Sequence, residues 1–334
     1  MKVAQYFSFG NPLEVLELVD IKIDDINDNE VRIALEAASI NPADLLAIHG
    51  LYPIRPSLPA IPGSEGVGRI VEVGSKITNV RPGDRVFLPF KVGLGTWREE
   101  MIITGEDLFA LPENADPLQL AMSSVNPPSA YFMLTKFVSL NKGDWVIQNA
   151  ANSAVGRYVI AFAKLMGIKT INIVRRESIV DDLLESGGDI VLVDGPDLAK
   201  RVSKATKKTS IKLALDGVAG DATHRLSQCL AFEGTVVNYG AMSMKKCELG
   251  ASQTIFKQIK LTGLWLQKWT QTAPVSEVKS LYQKTNEALI NGSVKVKIDT
   301  VYPFQKLNEA IRHAMKEQRN GKILITGPAF TRNI

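Results

Sequence analysis

The sequence predicts an α/β protein in two parts, a β-barrel-like domain of short strands and a doubly wound parallel sheet. Three observations carry this prediction. From about Ser123 to Trp265, short apolar runs alternate with stretches of helical period. Before that, strand-like runs are punctuated by turn pairs such as Pro62-Gly63 and Pro82-Gly83. Within the alternating part, Trp145 to Arg176 reads as strand, tight turn, helix, strand.

Taken in order, Val31–Leu35, Gly66–Val73, Arg85–Leu88 and Trp97–Ile103 are the strands of the first domain. The alternating part begins with a strand at Trp145–Gln148 and a helix from Ser153 to Met166, where Val155, Val159, Ile160, Ala163 and Leu165 recur at helical spacing and Gly167 stops the helix. Strands follow at Lys169–Val174, Ile190–Val193, Lys212–Leu215, Thr235–Asn238 and Ile259–Trp265, separated by helices near 178–186, 197–206 and 221–230. Helices at Ser276–Ile290 and Leu307–Met315 and strands at Val294–Ile298 and Lys322–Thr326 complete the chain. We expect this tail to rejoin the first domain. The expected domains are therefore 1–122 with 266–334, and 123–265, with the active site in the cleft between them.

Composition narrows the function. At 334 residues, 45% hydrophobic and 22% charged, the chain is long enough for two sizeable cores, and neither a membrane protein nor a disordered one is indicated. A net charge of +4 without a long basic run gives no nucleic-acid arm. Two cysteines, Cys229 and Cys247, make no disulfide framework, and the start MKVAQYFSFG has neither a signal core nor a transit composition, so a cytoplasmic protein is expected.

The turn Asn149-Ala150-Ala151-Asn152-Ser153 consists of small and capping residues. It opens a helix whose unpaired N–H groups and partial positive charge suit a pyrophosphate. Of the glycines in G-x-G-x-x-G only the last, Gly156, is present. Arg175-Arg176 follow the second strand where an NAD site carries Asp or Glu, and they suit a 2′-phosphate, which favours NADPH over NADH.

Asn41-Pro42-Ala43-Asp44, Pro62-Gly63-Ser64-Glu65-Gly66, Val73-Gly74 and Pro82-Gly83-Asp84-Arg85-Val86, in a chain ordered as a barrel then a dinucleotide fold, resemble the medium-chain dehydrogenase/reductase superfamily. Gly93-Leu94-Gly95-Thr96-Trp97-Arg98, Val125-Asn126-Pro127, Val146-Ile147-Gln148-Asn149 and Tyr239-Gly240 with Met242 resemble its trans-2-enoyl thioester reductases of the mitochondrial fatty-acid synthesis type. The resemblance implies a GroES-like barrel beside a Rossmann domain. It also implies NADPH-dependent reduction of a 2-enoyl thioester on coenzyme A or acyl carrier protein. A quinone or general α,β-unsaturated carbonyl reductase is the alternative enzyme, and an NADPH-binding structural or sensor protein the non-enzyme alternative.

Residue roles follow from the resemblance. Tyr52 is the implied catalytic hydroxyl. Cofactor contacts are implied at Asn126, Asn152, Ser153, Ala154, Val155, Gly156, Arg175 and Arg176. They continue at Tyr239, Gly240, Ala241, Met242, Leu264, Trp265, Leu266 and Lys322. Substrate contacts are implied at Asn41, Trp97, Arg98 and Trp265, although Trp97 suits a buried strand-start tryptophan and Arg98 a structural arginine equally well. Zinc-dependent relatives use a histidine where this chain has Ser64 and a cysteine earlier than Cys229, so no metal is expected. Asp216 and His224 are expected to be structural. The apolar run Ile259–Trp265 is expected to pair with its twin in a homodimer.

Overall fold

The computed structural model describes residues 1–88, 94–317 and 319–331. Gly93, the first residue of one run that carries the family resemblance, lies outside them. Among the described residues the strands are β1 (Lys2–Tyr6), β2 (Leu16–Asp20), β3 (Glu30–Ser39), β4 (Gly66–Val73), β5 (Arg85–Leu88), β6 (Glu100–Thr104) and β7 (Trp145–Gln148). They continue as β8 (Lys169–Val174), β9 (Ile190–Val193), β10 (Ile211–Asp216), β11 (Thr235–Asn238), β12 (Lys260–Gly263), β13 (Ile298–Pro303) and β14 (Lys322–Thr326).

Two compact units divide the chain: Met1–Val125 with Tyr282–Ile334, and Asn126–Leu281. The second crossing falls inside the helix Val275–Ile290 rather than at residue 265. Packing explains the difference. Trp269 meets Phe132 edge-on with centroids 4.7 Å apart, and Lys136 pairs with Glu277 at 2.8 Å, so the segment after β12 is held by its own unit.

In the first unit, β3 is the organising strand. One edge runs along β4, and the other is shared by β6 at Glu30–Ala34 and by β14 at Ala37–Ser39. Register shifts against β4 at Arg32/Ile33 and Leu35/Ala37 bend the strand, as bulges do, and let the sheet curl. At the bend the buried Glu36 receives both Nε and Nη2 of Arg85, at 2.6 and 2.7 Å. The helix Leu307–Ala314 closes the core with Leu307, Ala310, Ile311 and Ala314, an apolar stripe at helical spacing.

The expected strand at Val294–Ile298 is instead an ordered approach to β13. Its alternation is real, since Val294 and Val296 are buried, but the backbone partner of Val296 is the side-chain amide of Gln119, which bonds its N and O at 3.0 Å each. The run from Trp97 to Ile103 likewise yields a strand only from Glu100.

The second unit is a parallel sheet in the order β12-β11-β10-β7-β8-β9. Strand order reverses between β7 and β10, and at such a switch point the carboxyl ends of the strands open a ligand crevice. Its core on one face comprises Ile147, Ile171, Leu198, Val202, Leu226 and Val236 among others. The helix Asn126–Lys136 carries Pro127 and Pro128 in its first turn, where proline costs no hydrogen bond.

Candidate active site

The crevice of the second unit is built around the turn after β7. Ser153 caps the helix Ala154–Met166 by accepting from Gly156 N at 3.1 Å. A Cβ on Gly156 would stand 2.5 Å from the carbonyl oxygen of Ala151, so only glycine lets the helix start this close to the turn. Asn152, Ser153, Ala154 and Val155 are half-buried around that helix end. The turn is held from beneath by Asn149, whose Nδ2 donates to Asp216 at 2.7 Å and whose Oδ1 accepts from Gly217 N at 2.8 Å.

Neighbouring strand ends supply the other expected cofactor residues. Arg175, exposed, and Arg176, half-buried, follow β8 directly. Tyr239 and Gly240, half-buried, and Ala241 and Met242, exposed, follow β11. The Tyr239 ring packs over Gly217, where a Cβ would lie 2.8 Å from its hydroxyl oxygen. Burial pushes the Tyr239 hydroxyl well above the ordinary phenol range, and the nearby Ser153 side chain pulls the other way. Leu264 donates its N–H to Asn238 O at 2.9 Å and brings Trp265, 40% exposed, past the end of β12. Asn126, nearly buried, opens the first helix of this unit. Leu266, the first residue of the following helix, is buried.

In the first unit Tyr52 lies in the turn after the helix Pro42–Ile48, half-buried, with its N–H on Leu46 O at 3.2 Å. The other expected residues of this unit make their contacts inside it, and the expectation for Trp97 is corrected. Trp97 is completely buried among Tyr6, Ile33, Ile40 and Met101 in the core, with Nε1–H donating to Ser39 O at 3.3 Å, so it cannot line a channel. Arg98, half-buried, folds back over its own turn, donating from Nε to Gly95 O at 2.5 Å, and burial lowers the pKa of its guanidinium. Asn41 and Lys322, expected at substrate and cofactor, are both buried and bonded to each other.

These last two belong to a buried polar network that residue patterns did not reveal. Glu65 accepts from Ser39 Oγ at 2.7 Å, from Asn41 Nδ2 at 2.9 Å, and from Ser124 N and Val125 N at 3.0 Å each. Ser64 donates to Asp44, whose other oxygen accepts from Asn41 N at 2.9 Å. Burial pushes the Asp44 carboxyl up to about 6 and the Lys322 ammonium down to about 8, each opposed by the charge of the other. The signal in the sequence was the pair Ser64-Glu65 within a glycine-flanked run. Ser64, at the position of a zinc-binding histidine in metal-dependent relatives, is thus committed to a carboxylate. Among the described residues no group of three His, Cys, Asp or Glu side chains is placed to hold a metal ion.

Comparison with known proteins assigns the family. An alcohol dehydrogenase GroES-like domain model matches residues 27–113, and a zinc-binding dehydrogenase model matches residues 154–284. The chain is 38% identical over 296 residues to the mitochondrial enoyl-[acyl-carrier-protein] reductase of Caenorhabditis elegans, covering 87% of this chain and 85% of that one. Against the Homo sapiens protein of the same name it is 37% identical over 327 residues, covering 96% and 87%. The chain belongs to the enoyl-[acyl-carrier-protein] reductase family of medium-chain dehydrogenases/reductases. Among solved structures, the Etr1p complex with NADP and crotonyl-CoA superposes with a TM-score of 0.88 at 26% identity, covering 97% of this chain and 99% of that one. The Etr1p/Etr2p heterodimer of Candida tropicalis, a mitochondrial 2-enoyl thioester reductase, gives 0.87 at 26% over the same shares. A Bacillus thuringiensis protein assigned as an NADPH:quinone reductase gives 0.88 at 25%, covering 98% of each chain.

One expectation falls here. The relatives are mitochondrial proteins, which overturns the cytoplasmic location expected from cysteine usage and the amino-terminal composition. Few cysteines indicate a reducing compartment, a property the cytoplasm does not hold alone, and composition near residue 1 is a weak guide to targeting.

Proposed function

We propose that this protein reduces the C=C bond of trans-2-enoyl thioesters with NADPH. The observation that carries the reading is the crevice of the second unit, in a chain whose relatives are enoyl reductases: Gly156 seats a capped helix start on the turn after β7, and two arginines follow β8. This cradle fits a dinucleotide. The N–H groups of Ala154 and Val155 face the crevice end of the helix, and Arg175 with Arg176 would take a 2′-phosphate through charge-assisted hydrogen bonds. Bound there, NADPH supplies a hydride.

The chain's own residues do the rest. Negative charge develops on the thioester carbonyl oxygen as the β-carbon is reduced, and the Tyr52 phenol is the donor for that oxygen. The proton for C2 comes from the same hydroxyl or from water. Polarisation by zinc has no ligand set here, since Ser64 is bound to Asp44 and the chain has no cysteine before Cys229. Trp265, exposed beside the strand ends, is the remaining candidate for contact with the acyl chain.

We extend the proposal to a homodimer. All four residues of β12 are exposed at the edge of the sheet, and an uncovered edge strand is a template for pairing with a second copy.

The Bacillus relative favours a second reading, quinone reduction. A panel of crotonyl, hexenoyl and decenoyl thioesters beside a quinone, followed at the NADPH absorbance, separates the two. Turnover confined to the thioesters supports the proposal, turnover confined to the quinone replaces it, and NADPH binding without turnover of either favours a sensor.

A further inference from the structure

Asp216 ends β10, between β7 and β11, and is completely buried. Its register neighbour on β11 is Asn238, and Leu215 beside it pairs with Gln148 of β7, so the three strands finish level. Each then enters a loop: Asn149–Ser153, Gly217–Gly220 and Tyr239–Met242. A single carboxylate gathers donors from the first two loops, from Asn238 at the end of β11 and from Thr223 in the helix Asp221–Cys229. Oδ1 accepts from Asn149 Nδ2 at 2.7 Å and from Val218 N and Ala219 N at 3.0 Å each. Oδ2 accepts from Thr223 Oγ1 at 2.6 Å and Asn238 Nδ2 at 3.2 Å.

The backbone completes the tie. Asn149 N donates to Leu215 O at 3.1 Å, Tyr239 N to Asp216 O at 2.9 Å, and Met242 N to Gly217 O at 3.2 Å. Asn238 Nδ2 also reaches Gly240 O at 2.8 Å. Ala219 is held with φ at 66°, a conformation rare outside glycine, and its N–H is one of those that Asp216 takes. Five donors converging on one buried acid exceed what a strand end needs, because the sheet bonds themselves are already made by the backbone. What the carboxylate adds is a fixed relation between loops that belong to different strands.

We propose that Asp216 is the positioning residue of the cofactor crevice, setting the relative heights of the turn after β7 and the loop after β11. The assignment rests on the reading of that crevice as the NADPH site. It attributes cofactor affinity to a residue that touches no cofactor, acting through Asn149 on the helix start and through Asn238 on Gly240.

Direct binding tests it. NADPH affinity is measured by fluorescence titration for the wild type, Asp216→Asn and Thr223→Val, together with melting temperature and the KM for crotonyl-CoA. Asparagine turns one acceptor into a donor facing donors, whereas valine removes one donor and leaves the volume. The expected result is a rise of about tenfold or more in the NADPH Kd for Asp216→Asn and a severalfold rise for Thr223→Val, with the crotonyl-CoA KM nearly unchanged. Val202→Ala, a cavity in the core of the same unit, is the stability control and should lower the melting temperature while leaving the Kd alone. If Asp216→Asn does not fold, Thr223→Val carries the test. A Kd for Thr223→Val equal to that of the wild type, or a matching loss in Val202→Ala, overturns the proposal and leaves Asp216 a structural acid. A wild type that binds NADPH but reduces no enoyl thioester overturns only the assigned activity, and one that binds no NADPH overturns both.

Discussion

Lys322 donates from Nζ to Asn41 Oδ1 at 2.6 Å, with Ile40 O as its second partner at 3.1 Å, and both side chains are buried. A lysine that the family resemblance sends to the cofactor and an asparagine that it sends to the substrate thus meet each other. Around them lie the carboxylates of Asp44 and Glu65, so the interior of the first unit holds a charged cluster whose stability depends on pH.

The sign of that dependence is fixed by Asp44. Its carboxyl titrates at about 6 in the fold, above the ordinary 3.8, so its contribution is complete below about pH 4 and is lost as pH rises through 6. Lys322, lowered to about 8 from 10.5, contributes fully only above the ordinary lysine range and loses that contribution as pH falls through 8. The melting temperature of the wild type relative to Asp44→Asn should therefore drop by several degrees between pH 4 and pH 6.5. A difference that grows over this interval would mean that the carboxylate is stabilised, not strained, by its surroundings.

Cofactor selectivity should depend on Arg175. A charge-assisted contact with a 2′-phosphate is worth roughly 1.5–3 kcal/mol, so Arg175→Ala should raise the Michaelis constant for NADPH by about tenfold or more and leave NADH nearly unaffected. Equal losses with the two cofactors would make the arginine a support of the β8 end.

Tyr52 is the proposed donor to the carbonyl oxygen. Loss of one such donor costs about 2.7–4 kcal/mol in other enzymes, which predicts a fall of about a hundredfold or more in kcat for Tyr52→Phe with NADPH affinity within a few-fold. Near-normal turnover by the phenylalanine variant would assign the role to water or to another side chain.

Self-association should follow β12. Sedimentation is expected to give a dimer at micromolar concentration, and Leu261→Lys, which places a charge on the exposed edge, a monomer. A monomeric wild type contradicts the pairing.

Much of this architecture was legible because the signals were local. The turn from Asn149 to Ser153, the helix it opens and the strand that ends at Val174 are set by caps, period and one glycine, and the strand bounds in that stretch match the reading of the sequence. What stayed hidden is long-range. Nothing near Trp97 in the chain says that its indole N–H will meet Ser39 O, and nothing near Val296 says that Gln119 will stand in for a strand. Asp216 carried a weak local signal, an acid after an apolar run and before glycine. Its five donors come partly from residues far away in sequence, and only the sheet order brings them together.

The most direct measurement is the fate of the hydride. Crotonyl-CoA reduced with NADPH deuterated at C4 of the nicotinamide ring should give butyryl-CoA carrying deuterium at C3, with the C2 hydrogen drawn from solvent. Deuterium absent from the saturated product, or label passed to a quinone while crotonyl-CoA is left intact, would contradict the assignment.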